Sequence, residues 1–236
     1  MMNYLLPLLS VLIGFGFALF LKPQKKSNLK LLLAFSGSFL LSLTVLHLLP
    51  EVYESTLHAG EGHGHVHSHA TSVGLFIMGG ILLQIILEFF SKGAEHGHVH
   101  GHGDMHQIPW SLFLSLCFHA LLEGFPVGHH HDLAWGIAIH HLPIAIILTL
   151  FFLNSGMSKS KVFAFMVTFA LMTPLGTYIS VALPGLGEYY PQITAVVIGI
   201  LFHISSTIIF EASENHKFNI AKVSVIVLGI VLATFL

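Results

Sequence analysis

The most constraining feature of this sequence is a series of apolar stretches, each close to 20 residues long. A helix that crosses a bilayer needs about 20 mostly apolar residues. Eight stretches meet or approach this length: about 3–22, 29–50, 72–91, 108–127, 133–153, 161–183, 191–210 and 219–236. The sequence therefore predicts an all-α membrane protein, a single domain over 1–236 with eight transmembrane helices.

The composition agrees with this fold class and excludes some partners. Hydrophobic residues make up 54% of the chain and charged residues only 8%, whereas soluble domains carry about 25% charged residues. The formal net charge is −2 and no basic face is clustered in the sequence, so no nucleic-acid partner is expected. The lipid bilayer is the expected surrounding.

The lysines predict how the helices are oriented. With eight spans, every lysine falls on the same side of the membrane, at Lys22, Lys25, Lys26, Lys30, Lys92, Lys159, Lys161, Lys217 and Lys222. Basic residues favour the cytoplasmic side. Both termini are therefore expected outside the cytoplasm, with 51–71 as an outer loop and 92–107 as a cytoplasmic loop.

Both of these loops are rich in histidine, which makes up 19 residues of the chain. One tract covers 61–69 and the other 96–102, with His alternating mainly with Gly. Neutral imidazoles are good nitrogen ligands for Zn, Ni, Cu or Co, and such tracts are typical of metal binding. A solvated linker with a chance bias is the alternative. Importers, exporters and metal chaperones can all use such tracts.

Four ionisable side chains lie inside two consecutive spans: His119, Glu123, His140 and His141. Such groups are costly at membrane depth and indicate a functional site. His119 and Glu123 are four residues apart, so they stack on one helix face about 6 Å apart. His140 and His141 differ by about 100° around their helix. Both reach one point only if the helix is distorted, for example by Pro143.

Other polar residues in the spans are candidates for the pathway of an ion. His203 lies within the seventh span with Glu211 near its inner end, and His47 and Glu51 lie at the outer end of the second. For each of them, a metal ligand and a structural hydrogen bond between helices both remain open. The four central groups predict an intramembrane site for a divalent metal.

These residues resemble the ZIP family (Zrt/Irt-like proteins) of divalent metal transporters. The stretch 119–124 is similar to the family pattern His-Asn-x-x-Asp/Glu-Gly, and 140–144 is similar to His-Glu-x-Pro-x. The stretch 46–51, Leu-His-Leu-Leu-Pro-Glu, is similar to the end of the family's second helix. The resemblance extends over nearly the whole chain.

The resemblance implies a bundle with a binuclear metal site between helices four and five. It also implies import of Zn²⁺ or a related ion (Fe²⁺, Cd²⁺, Mn²⁺, Co²⁺ or Ni²⁺) into the cytoplasm without ATP, and without any cofactor beyond the transported ion. A transport unit moves against a scaffold in this family, and homodimers are common. The expected membrane is a bacterial plasma membrane.

The sequence departs from the family pattern at three positions, namely Ala120, His141 and Ile144. Glu123 is then the one carboxylate left in the two motifs. His119, Glu123 and His140 still provide a first site, whereas a second would rely on His141 and on His203. More imidazoles and fewer carboxylates favour Zn²⁺ over Mn²⁺.

Three alternatives to an importer remain open at this point. An intramembrane metallohydrolase would use a zinc with three protein ligands and a water near a base. A metal sensor would bind the ion without conducting it. An exporter would use the same site in the opposite net direction. The importer is the main prediction, and the chain is not expected to be an enzyme.

Overall fold

The structure is a computed structural model that describes residues 1–21, 26–58, 66–91, 110–128, 131–211 and 219–235. The described residues form helices and short connections, with no strand. The α-helices are α1 (Met2–Leu21), α2 (Lys26–Leu43), α3 (Leu49–His58), α4 (Val66–Ser91), α5 (Trp110–Val127), α6 (His131–Asn154), α7 (Lys159–Ala182), α8 (Tyr190–Glu211) and α9 (Ile220–Ala233). The all-α prediction agrees with this architecture.

Helices α2 and α3 form one continuous helical segment. A π-helical turn at Thr44–Leu48 joins them. The segment continues to His58, and α4 begins at Val66, so both ends of the stretch 51–71 are helical rather than loop. The sequence agrees with the helix that continues to His58. After proline, glycine is the residue that most disfavours a helix interior, and no glycine occurs between 51 and 59.

Within the described residues, seven helices are long and apolar enough to cross a membrane. They correspond to the first seven predicted spans. The eighth span, 219–236, corresponds to α9, which has 14 residues and is therefore about 21 Å long. This is shorter than the roughly 30 Å hydrocarbon core. Asn219 fixes the start of α9 because its side chain accepts a hydrogen bond from the Lys222 amide at 2.9 Å.

The helices pack in two groups. The first group contains α1, α5, α6 and α7, and its closest pairs are α1 with α6 and α5 with α7. The second group contains α2, α4, α8 and α9, and its closest pairs are α4 with α8 and α2 with α9. The pairs α1 with α6, α4 with α8 and α2 with α9 therefore join helices that are distant in sequence.

Glycines allow the backbones to touch within each group. A Cβ atom on Gly176 of α7 would lie 1.9 Å from the Leu121 carbonyl oxygen of α5. In the second group, a Cβ atom on Gly199 of α8 would lie 2.0 Å from the Ile77 carbonyl oxygen of α4. Small residues promote such close helix pairs in membranes.

Between the groups, α2 meets α6 through side chains. A Cβ atom on Gly136 of α6 would lie 2.2 Å from Leu43 Cδ2 and 3.8 Å from Phe39 Cε1. The contacts inside each group involve backbone atoms, whereas this contact depends on flexible side chains.

Candidate metal centre

Helices α5 and α6 bring the four intramembrane ionisable groups together in the first helix group. His119, Glu123, His140 and His141 are all buried, and Glu123 is completely inaccessible. His119 and Glu123 come from α5, and the two neighbouring histidines come from α6.

The Glu123 carboxylate is the centre of this cluster. Its Oε1 lies 3.0 Å from His119 Nε2, one helical turn away on the same face. Its Oε2 lies 3.0 Å from His141 Nε2 on α6. Glu123 therefore contacts an imidazole through each oxygen and joins the two helices.

Three of the four residues have donor atoms that can meet at one ion. One donor atom each of His119, Glu123 and His140 lies within 4.8 Å of the other two. The set provides two nitrogen ligands and at least one oxygen ligand, a combination that suits Zn²⁺. His141 is not part of this group of converging donors; it lies against Glu123 and against the ring of Phe169, with ring centroids 5.5 Å apart.

A small cavity adjoins the cluster. Its volume is about 20 Å³, which is close to the space that one water molecule occupies by the same kind of measure. It is lined by Leu116, His119, His140, His141, Ile144, Phe169, Ile204 and Ile208. The cavity therefore has room for one small particle, beside three imidazoles in a largely apolar wall.

Two hydroxyl groups support the site, and neither was singled out from the sequence. Ser36 Oγ on α2 lies 3.4 Å from His140 Nδ1. Thr177 on α7 donates a hydrogen bond to the Gly124 carbonyl at 2.9 Å, next to Glu123. Small polar residues inside apolar spans often form hydrogen bonds to neighbouring helices. The location of Ser36 and Thr177 inside predicted spans was therefore the sequence signal for these contacts.

His203 lies elsewhere, in the second helix group. Its Nε2 is 2.7 Å from Glu88 Oε2, so α8 and α4 are joined by a His–Glu pair that is partly exposed. Glu88 was not predicted, although an ionisable residue inside the span 72–91 is itself a signal of function. The described structure does not bring His203 into the cluster around Glu123.

His47 and Glu51 line a separate cavity at the end of the α2–α3 segment. This cavity has a volume of about 250 Å³ and is also lined by Glu54 and Leu133. His47 Nε2 donates to the Ala233 carbonyl on α9 at 3.1 Å. The residues predicted near the outer end of the second span thus form a polar cavity apart from the central cluster.

Some predicted features lie outside the described part of the chain. The histidine tract 96–102 falls there, as do residues 61–65 of the other tract and the side chain of Glu211. Residues 66–69 belong to the first turn of α4.

The family comparison agrees with this architecture. The family model described as ZIP Zinc transporter matches residues 4–109 and 91–236, which together span almost the entire chain. The chain belongs to the ZIP zinc transporter family. No curated protein matches it in a direct sequence comparison.

Family membership gives the general activity. ZIP proteins transport divalent metal ions, so this chain is a multi-pass integral membrane protein and a transporter rather than an enzyme. The resemblance predicted from the motifs is confirmed, and the hydrolase alternative is not supported. The chain also carries a buried His/Glu cluster with metal-ligand spacing.

Proposed function

We propose that this ZIP protein imports Zn²⁺, or a closely related ion, through a site formed by His119, Glu123 and His140 between α5 and α6. One observation carries the proposal. Donor atoms of these three buried residues lie within 4.8 Å of one another inside apolar helices. Ionisable groups are costly at membrane depth, so their presence there indicates a functional site.

The ligand chemistry supports a borderline-soft ion. Two imidazole nitrogens and one carboxylate suit Zn²⁺, whereas sites rich in carboxylate oxygens suit Mn²⁺. Glu123 supplies a single negative charge, which offsets part of the charge of a divalent ion and lowers the cost of its dehydration. Fe²⁺, Co²⁺, Ni²⁺ and Cd²⁺ are the expected competitors.

The lysines and the two cavities support inward transport. The positive-inside rule predicts that the His47 cavity faces the outer side. Along α2 this cavity begins at Leu43, about 10 Å from Ser36, which contacts His140. Buried Leu40 lies between Leu43 and Ser36. A cation gathered near Glu51 and Glu54 therefore needs a conformational change to reach the site.

The small cavity beside His119 and His140 extends toward the expected cytoplasmic side. Leu116, Ile144 and Ile208 line it, and each lies toward the lysine-bearing end of its helix. This arrangement fits a site that is closed toward the outer cavity and releases its ion inward. The side-chain contact between Leu43 and Gly136 is a place where the two helix groups can shift.

Transport is tested with purified full-length protein in liposomes. Zn²⁺ is added outside and a fluorescent chelator is trapped inside. We expect saturable uptake that is lost in His119→Ala and in Glu123→Ala. Leu114→Ala is the matched control, because Leu114 lies on the same helix but is 62% exposed. Zn²⁺ binding without uptake by the wild type would refute the importer and favour a sensor.

Direction is tested separately through topology and whole-cell uptake. In a Cys117→Ser background, a cysteine added at either terminus should react with a membrane-impermeant thiol reagent on intact cells. Cells that express the wild type should accumulate Zn²⁺ above the level of Glu123→Ala cells. Lower accumulation than in Glu123→Ala cells would favour an exporter.

A homodimer is the expected assembly. Light scattering in detergent measures the mass of the assembly.

A further inference from the structure

The position of His141 points to a role different from that of the other two histidines. We propose that His141 is a positioning residue that holds the Glu123 carboxylate, and that the site accepts one ion, ligated by His119, Glu123 and His140. This inference rests on the proposed transport function and concerns the same site. It replaces the ligand role and the second ion that the sequence suggested.

The contact between His141 and Glu123 sets the direction of the hydrogen bond. A carboxylate can only accept, so His141 Nε2 donates to Oε2 at 3.0 Å. His119 Nε2 lies equally close to Oε1, but His119 belongs to the group of converging donor atoms and His141 does not. The Phe169 ring lies against the same imidazole, with ring centroids 5.5 Å apart, so the His141 imidazole contacts both a carboxylate and an aromatic ring.

The hydrogen bond from His141 to Oε2 of Glu123 fixes the position of the other carboxylate oxygen, Oε1. With Oε2 accepting from His141, Oε1 stays on the side of His119, whose Nε2 is 3.0 Å away. His140, about 100° around the helix from His141, lies close enough to join these two residues. Partners that orient a metal ligand commonly change metal affinity or activity 10–100-fold when they are removed.

Space and charge both favour one ion. Paired metal ions in proteins lie roughly 3.5–4 Å apart, and the 20 Å³ cavity holds one particle the size of a water. Two divalent ions would bring four positive charges to the single carboxylate of this cluster. An imidazole at His141, where the family pattern has a carboxylate, therefore fits a one-ion site.

Paired substitutions separate a positioning residue from a ligand. The amide nitrogen of Gln lies near the position of His Nε2, and that of Asn near Nδ1. We expect His141→Gln to keep the donor and to stay within about threefold of the wild-type half-saturation for Zn²⁺. We expect His141→Asn to raise the half-saturation 10–100-fold.

The same two substitutions at His140 serve as the matched comparison. A neutral amide is a poor substitute for an imidazole ligand of Zn²⁺, so His140→Gln and His140→Asn should both lose uptake. If His141→Gln loses as much uptake as His140→Gln, His141 acts as a ligand and the inference is overturned.

A second measurement does not depend on transport. Equilibrium dialysis with Zn²⁺ compares full-length wild type with Glu123→Ala, which has the same histidine tracts. A difference of one ion per chain supports the inference, and a difference of two overturns it. A wild type that takes up no Zn²⁺ refutes the proposed function, while the dialysis still decides the number of ions.

Discussion

The close crossing of α5 and α7 gives a prediction about a residue that cannot ligate a metal. In Gly176→Ala, the new Cβ atom would lie 1.9 Å from the Leu121 carbonyl oxygen. A relaxed carbon–oxygen contact is about 3.5 Å, so the helices must separate by roughly 1.5 Å at this level. Leu121 begins the helical turn that contains Glu123, so the position of the carboxylate relative to His140 should change.

The expected cost has two measurable parts. Overpacking of this kind destabilises a protein by about 1–3 kcal/mol, which corresponds to a fall in melting temperature of about 2–12 °C for a chain of this size. The half-saturation for Zn²⁺ should rise about tenfold or more, in line with losses of ligand orientation. Thermal unfolding in detergent and initial uptake rates in liposomes measure the two effects.

A matched glycine provides the control for this prediction. A Cβ atom on Gly16 of α1 would meet nothing within 4 Å. Gly16→Ala should therefore keep the wild-type uptake and melt at the same temperature or higher, because alanine favours helix more than glycine does. If Gly176→Ala and Gly16→Ala behave alike, backbone contact between α5 and α7 does not hold the site in place.

Three further predictions concern other contacts. Gly80→Ala would place its Cβ atom 2.0 Å from the Val196 carbonyl and should lower the melting temperature. Its neighbour Gly79→Ala, which has open space, should not; equal values would contradict the α4–α8 contact. Ser36→Ala should raise the half-saturation for Zn²⁺ about two- to fivefold because one long hydrogen bond to His140 is lost, and unchanged kinetics would show that the contact is unused. Zn²⁺ uptake should exceed Mn²⁺ uptake in one assay, and equal rates would contradict the ligand assignment.

Local features of the site were predictable from the sequence. The spacing of His119 and Glu123 predicts neighbours on one helix face, and their side-chain atoms lie 3.0 Å apart. The length of the apolar stretches predicts the long helices. Both inferences depend on helix geometry alone, which is the same wherever the helix packs.

Contacts between distant helices were not predictable in the same way. Ser36 and His140 are 104 residues apart, and Glu88 and His203 are 115 apart. Both pairs depend on which helices pack together, and periodicity does not determine this. The different orientations of His140 and His141 followed from helix geometry, but the contact of His141 with Glu123 required the packing of α5 on α6.

The single carboxylate of the cluster has an electrical consequence. With neutral imidazoles, the empty site carries the one negative charge of Glu123, and a site holding one divalent ion carries one positive charge. A membrane potential that is negative inside would then draw the loaded site inward and drive the empty site back outward. Each unit charge that crosses the full field contributes about 2.3 kcal/mol per 100 mV. A carrier with this charge would be assisted by the resting potential in both halves of its cycle, and uptake would generate a current.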